Sequence, residues 1–310
     1  MEIEEIKRRF RPIGLDGYPA LRGMSRDDIY RGKMGPGGLL LASQLCERLL
    51  LRKGMRLLDL GCGRGATSIF MARNYGAIVY AIDLWIPATK MFDEISIAGC
   101  EDNVLPFNLD VTAPLPFADA YFDALFCMDA FHYFGANDGF LEHMARYLKP
   151  GGEIAIGNPC FDREFAGAPP RVYEACWPDE FSKYHSPSWW GTLALSCPLL
   201  SDARAEEARD GTLLWEDDLL YDLEKGNDRQ GRIKADADEI MFGRDNPKFP
   251  YLTHYILTAR RTTTKLTGGL ISRRGTTCQV QMGHSRRSQP HRRQHSRASL
   301  QKDRTNFVGL

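Results

Sequence analysis

No Cys-x-x-Cys pair occurs in these 310 residues, although eight cysteines are scattered at positions 46, 62, 100, 127, 160, 176, 197 and 278. Their spacing therefore gives neither the paired-thiol pattern of a zinc site nor a disulfide framework, and no metal is expected. Free thiols in a cytoplasmic protein are the expectation. No apolar run approaches the roughly 20 residues of a membrane span, so no membrane association is expected. The N-terminus opens on Glu2, Glu4, Glu5, Lys7, Arg8 and Arg9 rather than on an apolar signal core. Net charge is absent too, because 40 basic and 40 acidic residues cancel. That balance hides an asymmetry. Residues 262–310 hold ten basic residues and one acid, Asp303, which leaves 30 basic and 39 acidic residues in 1–261.

A chain of this length with 43% hydrophobic residues can bury one large core or two modest ones. The most informative stretch runs from Arg56 to Ala72. Leu57, Leu58 and Leu60 make a short apolar run around Asp59, the pattern of a buried strand. Gly61, Gly63 and Gly65 then make a turn, and Ile69, Phe70 and Ala72 follow at helical spacing. Strand, glycine turn and helix form half of a nucleotide-binding βαβ unit, in which a Cβ at the turn would block a ligand's approach to the backbone. A dinucleotide fold uses Gly-x-Gly-x-x-Gly and seats a pyrophosphate on the helix N-terminus. Here the spacing is Gly-x-Gly-x-Gly and an acid precedes it. A carboxylate aimed at the turn repels pyrophosphate and suits a cation or an amino group.

The Asp59-x-Gly61-x-Gly63-x-Gly65 pattern resembles motif I of the class I S-adenosylmethionine-dependent methyltransferases, whose ligand carries a sulfonium and a free amino acid but no phosphate. The order of segments downstream agrees. A second apolar strand, 78–83, ends in Asp83, which is placed for both ribose hydroxyls of an adenosyl group. Trp85 packs either along the cofactor or into the core. Pro87 starts a helix closed by Gly99. A third strand, 104–109, precedes Asp110 and Val111, where the family's acid bonds the adenine amino group. The fourth strand, 122–129, ends at Asp129 and is followed by Ala130-Phe-His-Tyr-Phe134. Leu141, Met144, Ala145 and Leu148 make one helical face, and Lys149-Pro-Gly-Gly152 stops it before a fifth strand at 153–157. The resemblance is strong over residues 34 to about 160 and closest to the ubiquinone/menaquinone-methyltransferase-like (type 11) small-molecule group.

The resemblance implies an α/β, Rossmann-like, doubly wound sheet of seven mostly parallel strands. Its last strand, near 253–260, is antiparallel and inserted beside the fifth, and a sixth strand lies near 198–204. N-terminal lid helices are added. Three parts are expected: a lid or loop segment over 1–37, the methyltransferase domain over 38–261, and a basic, disordered tail over 262–310. The tail is either a tether for nucleic acid or acidic membrane, or a non-native extension. Cofactor contacts are implied at Asp59, Gly61, Cys62, Gly63, Gly65, Asp83, Leu84, Asp110, Val111 and Asp129. S-adenosyl-L-methionine is the expected cofactor.

Methyl transfer needs alignment, and a base where the acceptor must lose a proton. His132, Tyr133 and His185 are the candidates, each weighed against a structural role. Aromatic clusters at Phe131, Tyr133 and Phe134, and at Trp189 and Trp190, either line a substrate pocket or pack the core. The fourth strand lacks the Asn/Asp-Pro-Pro-Tyr phrase of amino methyltransferases that act on nucleic-acid bases or on protein glutamine. The expected activity is transfer to a small-molecule acceptor. A non-catalytic cofactor-binding module and an RNA methyltransferase recruited by the tail are the alternatives. Neither the acceptor atom nor the oligomeric state is legible.

Overall fold

A computed structural model describes residues 1–137, 139–173, 181–228 and 231–263. The expected tail, apart from Thr262 and Thr263, lies outside the described residues. In chain order the elements are α1 (Ile3–Arg9), α2 (Arg26–Tyr30), α3 (Gly38–Arg48), β1 (Arg56–Leu60), α4 (Ala66–Tyr75), β2 (Ile78–Asp83), α5 (Ala88–Ile97), β3 (Val104–Asn108) and β4 (Phe122–Met128). They continue with α6 (Phe140–Ala145), β5 (Leu148–Phe161), α7 (Pro187–Ser196), β6 (Leu200–Glu207), α8 (Gly211–Lys225), α9 (Ile233–Asp245) and β7 (Leu252–Arg261).

The strands of the described residues form one seven-stranded sheet in the order β3-β2-β1-β4-β5-β7-β6. β1 to β5 pair in parallel, and β7 runs antiparallel between β5 and β6. This is the expected architecture, and the inserted last strand sits where the resemblance put it. β1 is buried on both faces, as a central parallel strand must be. Alternation then sorts its residues. Leu57 faces a core shared with α3 and α4, together with Val79, Ala81 and Phe126. Leu58 and Leu60 face the opposite core, with Ile82, Leu125, Ile154 and Trp190. Each such fully buried side chain contributes roughly 1.5–3 kcal/mol. A third cluster joins α1 to α8 and α9 through Ile6, Phe10, Trp215 and Ile240.

The strand parity has a functional consequence. Asp59 and Asp83 lie on the α4 side, as Leu57 and Val79 do. Asn158 lies on the other side with Ile154 and Ile156, opposite Tyr255 in the β5–β7 register. One boundary differs from the sequence reading. Leu148 does not end a helical face but opens β5, pairing with Phe122, and the strand continues through Lys149-Pro-Gly-Gly152. A register shift between Phe122 and Ala124 absorbs the proline and glycines, so they make an irregularity in the strand rather than a stop before it.

Candidate active site

The glycine turn is pinned to the carboxyl end of β2, with the Gly61 and Cys62 amides donating to the Ile82 carbonyl at 2.8 and 3.1 Å. Gly61 has φ +68°, and a Cβ there would stand 2.3 Å from that of Ala130. Only glycine therefore lets β1 turn this close to the end of β4. Cys62 is buried and packs against Met91. Gly65, also left-handed at φ +90°, precedes α4.

Asp59 is 1% exposed. Its Oδ2 accepts from the Thr67 and Ser68 hydroxyls at 2.7 and 2.6 Å, which ties β1 to the first turn of α4. Its Oδ1 is buried without a partner. Burial pushes the carboxyl up to about 6, against the downward pull of the two hydroxyls. Asp83 accepts three backbone amides: Gly63 at 2.9 Å, and Trp85 and Ile86 at 2.8 Å each. A carboxylate offers about four lone-pair positions, so one remains open to a further donor. Leu84 is exposed and Val111 buried. Asp110 is exposed and bonds the amide and hydroxyl of Thr112, closing its own loop.

At the end of β4, Asp129 takes φ +53°, a conformation tolerated by Asp. A 3₁₀ turn over Phe131–Tyr133 follows. His132 is 4% exposed, with Nδ1 3.3 Å from Asn158 Oδ1 and with Nε2 buried and unpartnered. Burial pushes it down to about 4; the Asn158 bond opposes this and Lys183 adds to it. Its ring packs against Tyr133 and Tyr184, and Tyr133 in turn meets Trp85 edge-on at 5.1 Å. His185 keeps different company. It stacks on Trp189 at 3.9 Å and its Nδ1 lies 3.2 Å from Glu164, whose other oxygen takes the Ser186 amide at the start of α7. Phe131 and Trp190 are fully packed in the core, which settles their alternative in favour of packing.

The N-terminal segment lies over this end of the sheet. Met34 Sδ sits 2.7 Å from where a Cβ on Gly63 would be, and a Cβ on Gly35 would fall 1.3 Å from Asp129 Oδ2. Lys33 anchors the segment to α8 through Asp218 at 2.6 Å and Asp222 at 3.0 Å, in a nearly buried ion pair. Burial raises Asp218 to about 7 even with Lys33 beside it. Tyr30 stacks on Tyr221 and donates to Asp217. Between this segment and α8–α9 is a cavity of about 170 Å³, bordered by Lys33, Met34, Gly35, Pro36, Trp215 and Asp218.

A second buried histidine was not anticipated from the sequence. His254 on β7 is fully buried, its Nδ1 2.8 Å from the Gly211 carbonyl, and burial pushes it down to about 4. A pKa below the unfolded value of about 6.5 means stability that is present above pH 6.5 and lost as pH falls toward 4. Urea unfolding at pH 7 and pH 4.5 tests this. Wild type should lose about 2–3 kcal/mol relative to His254→Gln over that interval. Equal losses in the two proteins would contradict it.

Asp59, the glycine turn, Asp83, Asp129, His132 and Tyr133 thus gather at the carboxyl ends of β1, β2 and β4, where open parallel sheets take ligands. Among the described residues there is no group of side chains able to hold a metal ion, and no helix is long and apolar enough to cross a membrane. Residues 58–156 match the family model described as a methyltransferase domain. Methyltransferase GfsG of Streptomyces halstedii is 31% identical over 44% of this chain and 53% of that protein. Phosphoethanolamine N-methyltransferase 1 of Zea mays is 30% identical over 42% of this chain and 25% of that protein. The chain thus spans between a quarter and about half of the length of these curated relatives. A putative sarcosine dimethylglycine methyltransferase from Galdieria sulphuraria shares the fold, with TM-score 0.58 and 19% identity over 74% of this chain and 86% of that one.

Proposed function

We propose, from the premise that this chain carries a class I S-adenosylmethionine-dependent methyltransferase domain of the type 11 group, that it transfers a methyl group from S-adenosyl-L-methionine to a small-molecule acceptor. The observation that carries this reading is the orphaned Asp59 Oδ1 beneath a glycine turn. A buried carboxylate oxygen without a donor is costly, and an ammonium would satisfy it where a pyrophosphate would be repelled. His132 Nε2 is a second orphan, at the end of the neighbouring strand β4.

The bound cofactor supplies a methyl group already activated on a sulfonium. The chain's part is to hold and align. The turn at Gly61, Cys62, Gly63 and Gly65 lets the ligand approach the backbone, and Asp59 faces its amino group. Asp83 meets the ribose with its remaining lone pair. Leu84, Asp110 and Val111 border the adenine, and Asp129 stands at the methyl side. His132 Nε2 accepts a proton from the acceptor, with Tyr133 closing the site. We assign His185 a bracing role through Glu164 in place of the catalytic one. Residues 1–37 act as the lid over a domain spanning 38–261, with Met34 and Gly35 excluding water from the turn. A cytoplasmic setting fits the six cysteines that are free and buried among the described residues.

Calorimetric titration with S-adenosylmethionine and with NAD tests the cofactor. Binding of the first and none of the second is expected, and the reverse would refute the reading. Release of S-adenosylhomocysteine across a metabolite panel tests turnover, and silence across the panel would leave binding without transfer.

A further inference from the structure

We propose that Asn158 is a positioning residue that holds His132 with its proton on Nδ1, so that Nε2 stands as the proton acceptor for a hydroxyl that receives the methyl group. This rests on the methyl-transfer reading and deepens it, because it names the acceptor's chemistry.

The argument begins with an unambiguous donor. The Phe131 backbone amide lies 3.0 Å from one terminal atom of the Asn158 side chain. A backbone N–H can only donate, so that atom must be the amide oxygen. The other terminal atom, the nitrogen, donates to the Tyr255 hydroxyl at 3.2 Å. Asn158 is fully buried on β5, and Tyr255 is its register partner on β7. The orientation of the amide is therefore set from two sides by strand backbone and strand neighbour. His132 Nδ1 lies 3.3 Å from the same oxygen. An oxygen cannot donate, so Nδ1 must. A neutral imidazole carries one proton, and with it on Nδ1 the other nitrogen is a bare lone pair. Nε2 has no partner among the described residues.

The ring's environment decides which acceptor suits it. His132 is enclosed by Tyr133 and Tyr184, with Lys183 in reach of Tyr133. Burial and the lysine charge both disfavour imidazolium, so the base is present but weak. Methylation of a hydroxyl develops an oxonium, which is strongly acidic and gives its proton to a weak base readily. An ammonium product would keep its proton. The step balances as follows. A lone pair of the hydroxyl oxygen forms the new O–C bond and the C–S bond breaks with its pair left on sulfur. The O–H proton passes to Nε2, and from there to solvent when the lid opens.

Histidine-labelled nitrogen spectroscopy on the full chain reads the tautomer without any substrate. The expected result is a protonated Nδ1 and an unprotonated Nε2 at His132. Turnover is then measured with a panel of phenols, aliphatic alcohols, primary and secondary amines, and thiols. Asn158→Leu should lower kcat by about 10²-fold, the low end of a positioned base's contribution, with the acceptor KM and cofactor affinity nearly unchanged. Asn158→Asp keeps an acceptor for Nδ1 and adds a charge beside the ring. It should retain most of kcat and move the acid limb of the pH profile up by about one unit. An Nε2–H spectrum in wild type overturns the proposal, as does equal damage by both variants with no movement of the limb. Turnover confined to amines overturns the hydroxyl assignment. A correct tautomer with silence across the whole panel instead retires the methyl-transfer reading, and this role with it.

Discussion

Asp59→Asn is expected to make the fold more stable at pH 8 and to weaken S-adenosylmethionine binding roughly 10- to 150-fold, the range of one lost charge-assisted hydrogen bond. The carboxyl is buried and raised to about 6, against about 3.9 in the unfolded chain. A raised pKa in an acid means that its favourable contribution is full below pH 3.9 and is lost as pH rises through 6. The native state therefore carries a penalty of about 3 kcal/mol at pH 8. Asparagine removes that penalty and keeps an oxygen for Thr67 and Ser68. Its unpaired amide costs about 1 kcal/mol, so a net gain of about 1–2 kcal/mol remains. Urea unfolding at pH 8 and pH 4 should show the variant's advantage shrinking at the lower pH. Calorimetry should show the weakened cofactor binding. Undiminished affinity would mean that Oδ1 does not meet the ligand.

Gly35→Val is expected to lower turnover on the order of 10²-fold, the cost of a small misplacement of reacting groups. All three carboxyl atoms of Asp129 lie within 3.0 Å of the position a Cβ would take at Gly35. A branched side chain there must push the segment off the glycine turn. Moving the segment also disturbs the Lys33–Asp218 ion pair and the packing of Tyr30 beside it, so some stability is lost as well, and turnover is compared at a temperature where both proteins are folded. Limited proteolysis gives an independent reading, with faster cleavage within residues 30–38 than in wild type. Normal turnover with normal protection would show that close contact between Gly35 and Asp129 is dispensable.

Much of the sheet was legible because buried parallel strands write themselves as short apolar runs. Leu57 to Leu60, Ile78 to Asp83 and Phe122 to Met128 all do so, and each is followed by the turn or acid that marks its carboxyl end. The segment before α3 was expected as a lid or loop. What holds it down was not legible. Lys33 and Asp218 are 185 residues apart, and an acidic helix reads locally as a solvated face, although its Asp217 and Asp218 are buried. Asn158 and His254 were missed for a related reason. Each is a polar residue inside an apolar strand, and its partner comes from another element. His185 shows the converse. It was named from the sequence as a candidate base, while its contacts join it to Glu164 and Trp189.

The threading of β7 between β5 and β6 also dictates an order of events while the chain is being made. Among the described residues β6 has no other partner in the sheet, so it cannot join until β7 exists. About 90 residues separate the end of β5 from the start of β7. At 5–20 residues per second, synthesis takes roughly 5–18 s to cross that gap. For that interval the β5 edge, with Ile154, Ala155 and Ile156 along it, is open for pairing with any other strand. A ribosome that stalls before residue 252 therefore leaves a sheet that ends on an unprotected hydrophobic strand, and a polysome carrying several such chains brings those edges together.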